Sequence, residues 1–335
     1  MTFKHIKFLL ISFILIAGNI LAENPGKKGK SFFSILTKES PAYLFSYFTG
    51  NGEDGLHLMY SFDGIIWKTL NNGQSFLKPM VGKSKQMRNP SIVQDAKGTF
   101  HLVWTTGLNE NNIGYASSKD LINWSEQNEI PVMAKEPAVK DTRAPELFYK
   151  KSSKTFYIIW SSTIPGHFSE TANKEEGNNH RLYYTTTRDF KTFTDTKLFY
   201  DPKFSVTDAC IFQKRGLYYL FLKNETEVPV EKNIRYAVSG NIKQFPTTVS
   251  VPISGKKWAE GPSAIQIGDY TYVYWDIYNE NHSGGARCKN IRKPEWENIT
   301  DMLRFPAGAK NGNVFKIDNN TLIKLQHLEK QQNSN

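Results

Sequence analysis

Cysteine is nearly missing from this chain: Cys210 and Cys288 are the only two in 335 residues. Neither has metal-ligand spacing or a catalytic partner nearby in sequence, which sets aside a cysteine-built metal site and a thiol nucleophile. Two buried free thiols in strands are the expected state; a disulfide between them is the alternative that export would permit. Dense runs of basic residues are lacking too. The formal charge is +10, yet Lys and Arg are scattered and no nucleic-acid motif occurs, so no nucleic-acid partner is expected. His57, His101 and His180 sit in strand-like stretches without ligand spacing, and no metal motif is found. No helical period of useful length appears, and the oligomeric state leaves no mark.

Long apolar runs are absent except at the start. There, MTFKHIKFLLISFILIAGNILA joins a basic beginning, an apolar run of signal-peptide length and a small residue at Ala22. A secretory leader over 1–22 is expected, then one domain over 23–335, located in the periplasm or secreted after cleavage near Ala22. No cysteine follows the run, so no lipid anchor is expected, and no membrane attachment once the leader is gone. With 39% hydrophobic residues the rest can build a full core.

What is present is repetition. A strand, a small polar pair, Asp or Asn and then an aromatic recur in GLHLMYSFDGIIW, NIGYASSKDLINW, HRLYYTTTRDFKTF and NIRYAVSGNIKQF, and more weakly in GGARCKNIRKPEW. Ahead of each lies an apolar, aromatic and β-branched strand: YLFSYFTG, TFHLVWTTG, TFYIIWSST, LYYLFLKNE and YTYVYWDIY. Four of these follow another short strand, PSIVQD, APELFYK, DACIFQK or GPSAIQIG. Three or four antiparallel strands in roughly 50–70 residues make a propeller blade. An all-β, five-bladed β-propeller follows, with the tail NGNVFKIDNNTLIKL expected to close the ring against a sheet beginning near SFFSIL. The repeated polar turn with its aromatic is read as structural.

The first strand of each blade lines a propeller's axis, so its polar starting residues converge there. These starts are Arg88-Asn89-Pro90-Ser91, Arg143-Ala144-Pro145-Glu146, Asp208-Ala209-Cys210 and Glu260-Gly261-Pro262-Ser263. Carboxylates that cannot all ionise raise one another's pKa, which keeps an acid ready near neutral pH. A pair of them is what glycoside hydrolysis needs.

Through MRNPSIV, TRAPELFY, SVTDACIF, WAEGPSAI, the YASSKDLINW turns and FPAGAKNGNVFKI, the chain resembles glycoside hydrolase family 43 over roughly residues 31–318. That family comprises five-bladed propellers that include β-xylosidases and α-L-arabinofuranosidases. The resemblance implies an inverting mechanism, with Glu260 as general acid and Asp208 as the carboxylate that orients it. Asn89 falls where relatives carry the aspartate base. Two further departures are Asn311-Gly312, in place of a His-Gly pair, and Arg143, in place of a tryptophan.

An asparagine can hold a water but cannot take its proton, and losing a positioned base costs about 10²- to 10⁴-fold in rate. Asp54, in GNGEDGLH, and Glu146 are the candidate substitutes; either is equally readable as structural. Arg88 and Arg143 are expected either to bind a carboxylate or sulfate on the sugar or to neutralise the central carboxylates. Trp104, Trp160 and Trp275 offer a stacking face or, for at least two of them, core packing. No cofactor is required; the resemblance admits a calcium ion at the axis without supporting it. The expected function is an exported exo-acting glycosidase releasing xylose, arabinose or a related sugar from plant or algal polysaccharide fragments. The alternative is a glycan-binding propeller that has lost hydrolysis.

Overall fold

The apolar second strands of the repeats are buried along nearly their whole length and become the middle of five antiparallel sheets. The computed structural model describes residues 41–171 and 178–332. The first sheet contains β1 (Ala42–Tyr47), β2 (His57–Ser61) and β3 (Lys68–Thr69); the second, β4 (Arg88–Gln94), β5 (Phe100–Thr105), β6 (Ile113–Ser118) and β7 (Asn128–Ile130). The third holds β8 (Arg143–Lys150), β9 (Thr155–Ser162), β10 (Arg181–Thr187) and β11 (Lys197–Tyr200). The fourth is three-stranded, β12 (Val206–Lys214), β13 (Leu217–Asn224) and β14 (Asn233–Ser239). The fifth holds β15 (Glu260–Ile267), β16 (Tyr270–Ile277), β17 (His282–Cys288) and β18 (Glu297–Asn298). Neighbouring inner strands touch in turn, β4 with β8, β8 with β12 and β12 with β15.

The last strand, β19 (Val314–Ile317), leaves the fifth blade and pairs with β1, Ala42 opposite Ile317 and Phe45 opposite Val314. It contacts β15 on one side, and β1 contacts β4 on the other, so the five blades form a closed β-propeller. The expected closure by the tail is found, and its partner is Ala42–Tyr47. SFFSIL, like the leader over 1–22, lies outside the described residues. The tail is not strand throughout. From Asn319 to Gln332 it forms a helix, α1, started by Asp318, whose carboxylate accepts the Thr321 N–H at 2.8 Å. Leu322 and Leu325 pack from it into the core of the first two blades. Two buried leucines three residues apart were too faint a period to read.

The repeated polar turn is structural, as its sequence implied. Ser118 Oγ accepts the N–H of Asp120 and of Leu121, while Asp120 Oδ1 accepts those of Ile122 and Asn123. Ser61 with Asp63 and Thr187 with Asp189 repeat the arrangement. Both cysteines are buried free thiols.

Around the axis, one polar side chain per blade accepts a backbone N–H from the next blade's inner strand. Ser91 Oγ accepts from Leu147 at 3.0 Å and Glu146 Oε1 from Ile211 at 3.3 Å, while the Cys210 thiol stands at the corresponding place beside the Ala264 N–H. Ser263 Oγ accepts from Val314 at 2.9 Å, and Asn313 Oδ1 from Ile92 at 2.7 Å. The girdle is thus complete. Asn313 is its busiest member: its Oδ1 also accepts from Ser46 Oγ and its Nδ2 donates to the Ile92 carbonyl. Asn313→Ala strands a buried N–H at the closing seam and is expected to cost about 2–4 kcal/mol, read as a lower denaturant midpoint. An unchanged midpoint would mean that the girdle contributes nothing to stability.

Candidate active site

Four inner strands begin with the same irregularity. Pairing skips between Arg88 and Ser91, Arg143 and Glu146, Thr207 and Cys210, and Glu260 and Ser263. Within each bulge one residue has left-handed backbone: Asn89 at φ 50°, Ala144 at 47°, Asp208 at 55° and Gly261 at 60°. Asn and Asp tolerate that conformation better than other side chains do. At Gly261 glycine is required on steric grounds as well, because a Cβ would lie 2.3 Å from Asn311 Oδ1. A bulge re-aims side chains at a strand end. Here it brings Arg88, Asn89, Arg143, Asp208 and Glu260 to one end of adjacent inner strands.

Asp208 and Glu260 meet. Asp208 Oδ2 accepts the N–H of Gly261, the residue after Glu260, at 3.1 Å. Burial, and next the Glu260 charge, push the Asp208 carboxyl up to about 6. Both Glu260 oxygens are engaged: Oε2 with Lys223 Nζ at 3.0 Å, Oε1 with Asn311 Nδ2 at 3.0 Å. Lys223 is buried and keeps a second anion, Glu225, at 2.6 Å. Burial alone would depress the lysine and raise Glu225; against it, the Glu260 charge and then Glu225 hold Lys223 above its ordinary value, and Lys223 with Lys232 holds Glu225 down to about 2. Asp276, opposite Glu260 in register, accepts the Asn311 N–H at 2.8 Å and is pushed up to about 8, chiefly by burial. Near neutral pH the proton stored beside Glu260 is therefore on Asp276, and Asp208 takes one up as the pH falls through about 6.

The other half of the mouth is cationic. Arg88 is half-buried, with its guanidinium 5.3 Å from the Phe48 ring centre. Arg143 Nε lies 2.7 Å from Asp141 Oδ2, an oxygen also held by His180 Nε2 at 2.8 Å. Asp141 Oδ1 takes the Thr163 N–H at 3.0 Å. Against its burial, the His180 hydrogen bond and then the nearby charges keep Asp141 below the ordinary carboxylate range. The Asn89 amide, between the two arginines in sequence, makes no hydrogen bond among the described residues. Asp54 lies in the loop after β1, bonded to His57 Nε2 at 2.8 Å and to Thr49 Oγ1 at 3.0 Å. That loop is tied to the approach to β4 by the Met87 N–H on the Gly52 carbonyl, 2.8 Å.

Two candidates stand apart from the mouth. Glu146 lies deeper, in the girdle, where its carboxyl meets the Ser91 hydroxyl at 3.0 Å, the Ile211 N–H and the Cys210 thiol. Trp104 is a correction: it is wholly buried, packed on Gly114 across the sheet, and has no face for a sugar. Trp160 and Trp275 are buried likewise. Lys223, Glu225, Asp276, Trp258 and Tyr278 escaped the sequence reading. The signal for Lys223 and Asp276 was a lone charge ending an apolar strand, LYYLFLKNE and YTYVYWDIY. Trp258, 39% exposed and two residues before Glu260, faces Tyr278 at 5.9 Å between ring centres. Tyr278 in turn carries the Lys223 ammonium 4.4 Å above its ring. The axis does not fit calcium: its one girdle carboxylate, Glu146, is taken up by Ser91 and Ile211 and stands beside a thiol.

A closed five-bladed ring with paired carboxylates at its mouth defines a class that comparison with known proteins makes definite. A family model described as "Probable glycosyl hydrolase domain", related to glycoside hydrolase family 43, matches residues 39–322. The chain belongs to that family. An α-L-arabinofuranosidase of Bifidobacterium longum subsp. longum is 25% identical over 184 residues, 49% of this chain and 17% of that protein. This chain thus spans less than a fifth of the curated relative's length. A family 43 protein of Bacillus licheniformis superposes with a TM-score of 0.50 and 17% identity over 68% of this chain and 42% of its own. An α-L-arabinofuranosidase of Lactobacillus brevis gives 0.48 and 17% over 63% and 72%. At such identities the likeness is one of fold.

Glu146 has a measurable consequence. Burial, only partly offset by its hydrogen bonds, raises its carboxyl from 4.5 to about 7. Below the lower value the group is protonated folded or unfolded; between the two only the folded protein holds the proton. Unfolding free energy therefore falls as pH rises through that window, by up to about 3 kcal/mol. Glu146→Gln, which cannot ionise, is expected to flatten this slope in denaturant titrations at pH 5 and pH 8. An equal slope in both proteins would contradict the buried neutral acid.

Proposed function

We propose that the protein is an exported, exo-acting glycosidase that releases xylose, arabinose or a related sugar from plant or algal polysaccharide fragments with inversion. The observation that carries the hydrolytic reading is the junction of Asp208 with Glu260 through Gly261. The sequence features of the first 22 residues support export.

In this reading a glycosidic oxygen sits at Glu260, which delivers a proton as the carbon–oxygen bond breaks, while water attacks the anomeric carbon from the opposite face. Glu260 must shed one of its two donors to carry that proton. Lys223 can fall back on Glu225, and Asp276, joined by Asp208 at lower pH, holds a proton next to it. Asn89 orients the water through its carbonyl. Asp54, polarised by His57 and Thr49, takes the water's proton, because Glu146 is enclosed by its own hydrogen bonds. Trp258 and Tyr278 supply the aromatic wall beside the leaving group.

Turnover of aryl xylosides, arabinofuranosides and galactosides tests the assignment. Glu260→Gln is expected to lower kcat by about 10³-fold or more, and Asp54→Asn by about 10²-fold with little change in KM. Asn89→Asp, which restores a carboxylate to the strand start, is expected to raise kcat on these uncharged aryl glycosides. Activity surviving Glu260→Gln would remove Glu260 as the acid.

A further inference from the structure

The mouth of the propeller is electrically divided. On the side of β12, β13, β15 and β16 stand Asp208, Glu225, Glu260 and Asp276, with Lys223 among them. On the side of β4 and β8 stand Arg88 and Arg143, with the uncharged Asn89 where an aspartate would have supplied a countercharge. Arg88 makes no ion pair or hydrogen bond among the described residues; its contact is the Phe48 ring. Arg143 spends only its Nε on Asp141, a carboxylate already engaged by His180 and Thr163, and its side chain is 35% exposed.

A half-buried guanidinium without a hydrogen-bond acceptor is expensive. Burial makes Arg88 a weaker base than usual; the Glu260 charge opposes this, the Arg143 charge adds to it, and Glu53 offsets part of the rest. Arginine presents a planar fork of donors that matches the oxygens of a carboxylate or a sulfate ester. A neutral pentose offers no such partner. The formal charge of +10 over the whole chain favours the approach of an acidic polymer.

We propose that the sugar bound at the axis carries an anionic substituent, a carboxylate or a sulfate ester, seated between Arg88 and Arg143. This rests on the axial pocket being the glycosidase site and narrows its substrate to acidic glycans. The anion lies toward β4 and β8 while the scissile oxygen lies toward Glu260, so the charge division orients the ring. The Asn89 amide belongs to the same design, because an aspartate there would repel the substituent and occupy Arg88.

Titration calorimetry on the full chain tests this with methyl glucuronide, methyl galacturonide, methyl galactoside 6-sulfate, methyl xyloside and methyl arabinofuranoside, alongside hydrolysis of the corresponding aryl glycosides. At least one anionic probe is expected to bind about tenfold or more tightly than the neutral ones, with an affinity that falls as salt is raised. Arg88→Met, which breaks no side-chain hydrogen bond or ion pair among the described residues, is expected to erase that preference. Arg88→Lys is expected to restore part of it. Uronide binding alone assigns a carboxylate, and binding of the sulfated probe alone a sulfate. Anion binding without hydrolysis of any glycoside would keep this inference and remove the hydrolytic reading. Hydrolysis of neutral glycosides with no anionic preference would do the reverse. Equal binding of all probes, or a preference untouched by Arg88→Met, would overturn it.

Discussion

The girdle of hydrogen bonds around the axis is the constraint on which the rest depends. Each blade's inner strand hands a backbone N–H to a side chain of the blade before it, and Ile92 hands one to Asn313, so no inner strand can shift without leaving a buried donor unmet. A single such bond is worth only about 1 kcal/mol net, but an orphaned donor costs more than the bond contributes. The asymmetry makes the ring a device for fixing position more than for adding stability.

Position is what the chemistry above the girdle requires. The bulges begin two residues before the girdle side chains, so whatever fixes Ser91, Glu146, Cys210 and Ser263 also fixes Asn89, Ala144, Asp208 and Gly261. Hydrophobic packing between blades is strong but without direction. The girdle supplies direction, and the left-handed residue above each girdle member sets where the reacting groups stand. Burial then does the electrostatic work: Asp208 and Asp276 are pushed up because they are dry and close to another negative charge, whereas Glu225 stays ionised because two lysines reach it.

Much of this was legible in the amino-acid sequence. The serine–aspartate–aromatic turns bond to their own backbone, so they are written locally and could be counted. The Asn-Pro, Ala-Pro and Gly-Pro starts were equally visible, because a bulge with left-handed backbone selects small or amide residues. Contacts across a sheet and between blades were not legible. Trp104 looks like a sugar platform until Gly114 is seen lying across its own sheet, Asp276 looks like a strand end until register sets it opposite Glu260, and Lys223 does so until the next blade brings Glu260 to it. The helix after Asp318 was hidden because its polar faces outweigh its two buried leucines. Alternation along a strand tells which face a residue is on, and it is silent on which neighbouring blade covers that face.

The first sheet owes its innermost strand to Val314–Ile317, and Asn311, which holds Glu260 by one oxygen, lies just before that strand. A ribosome working from the amino end will have made four complete sheets before either segment exists. Ring closure and the placing of Glu260 are thus completed by one late stretch of chain, and a polypeptide cut before Asn311 lacks both the closing strand and one of the two donors on Glu260.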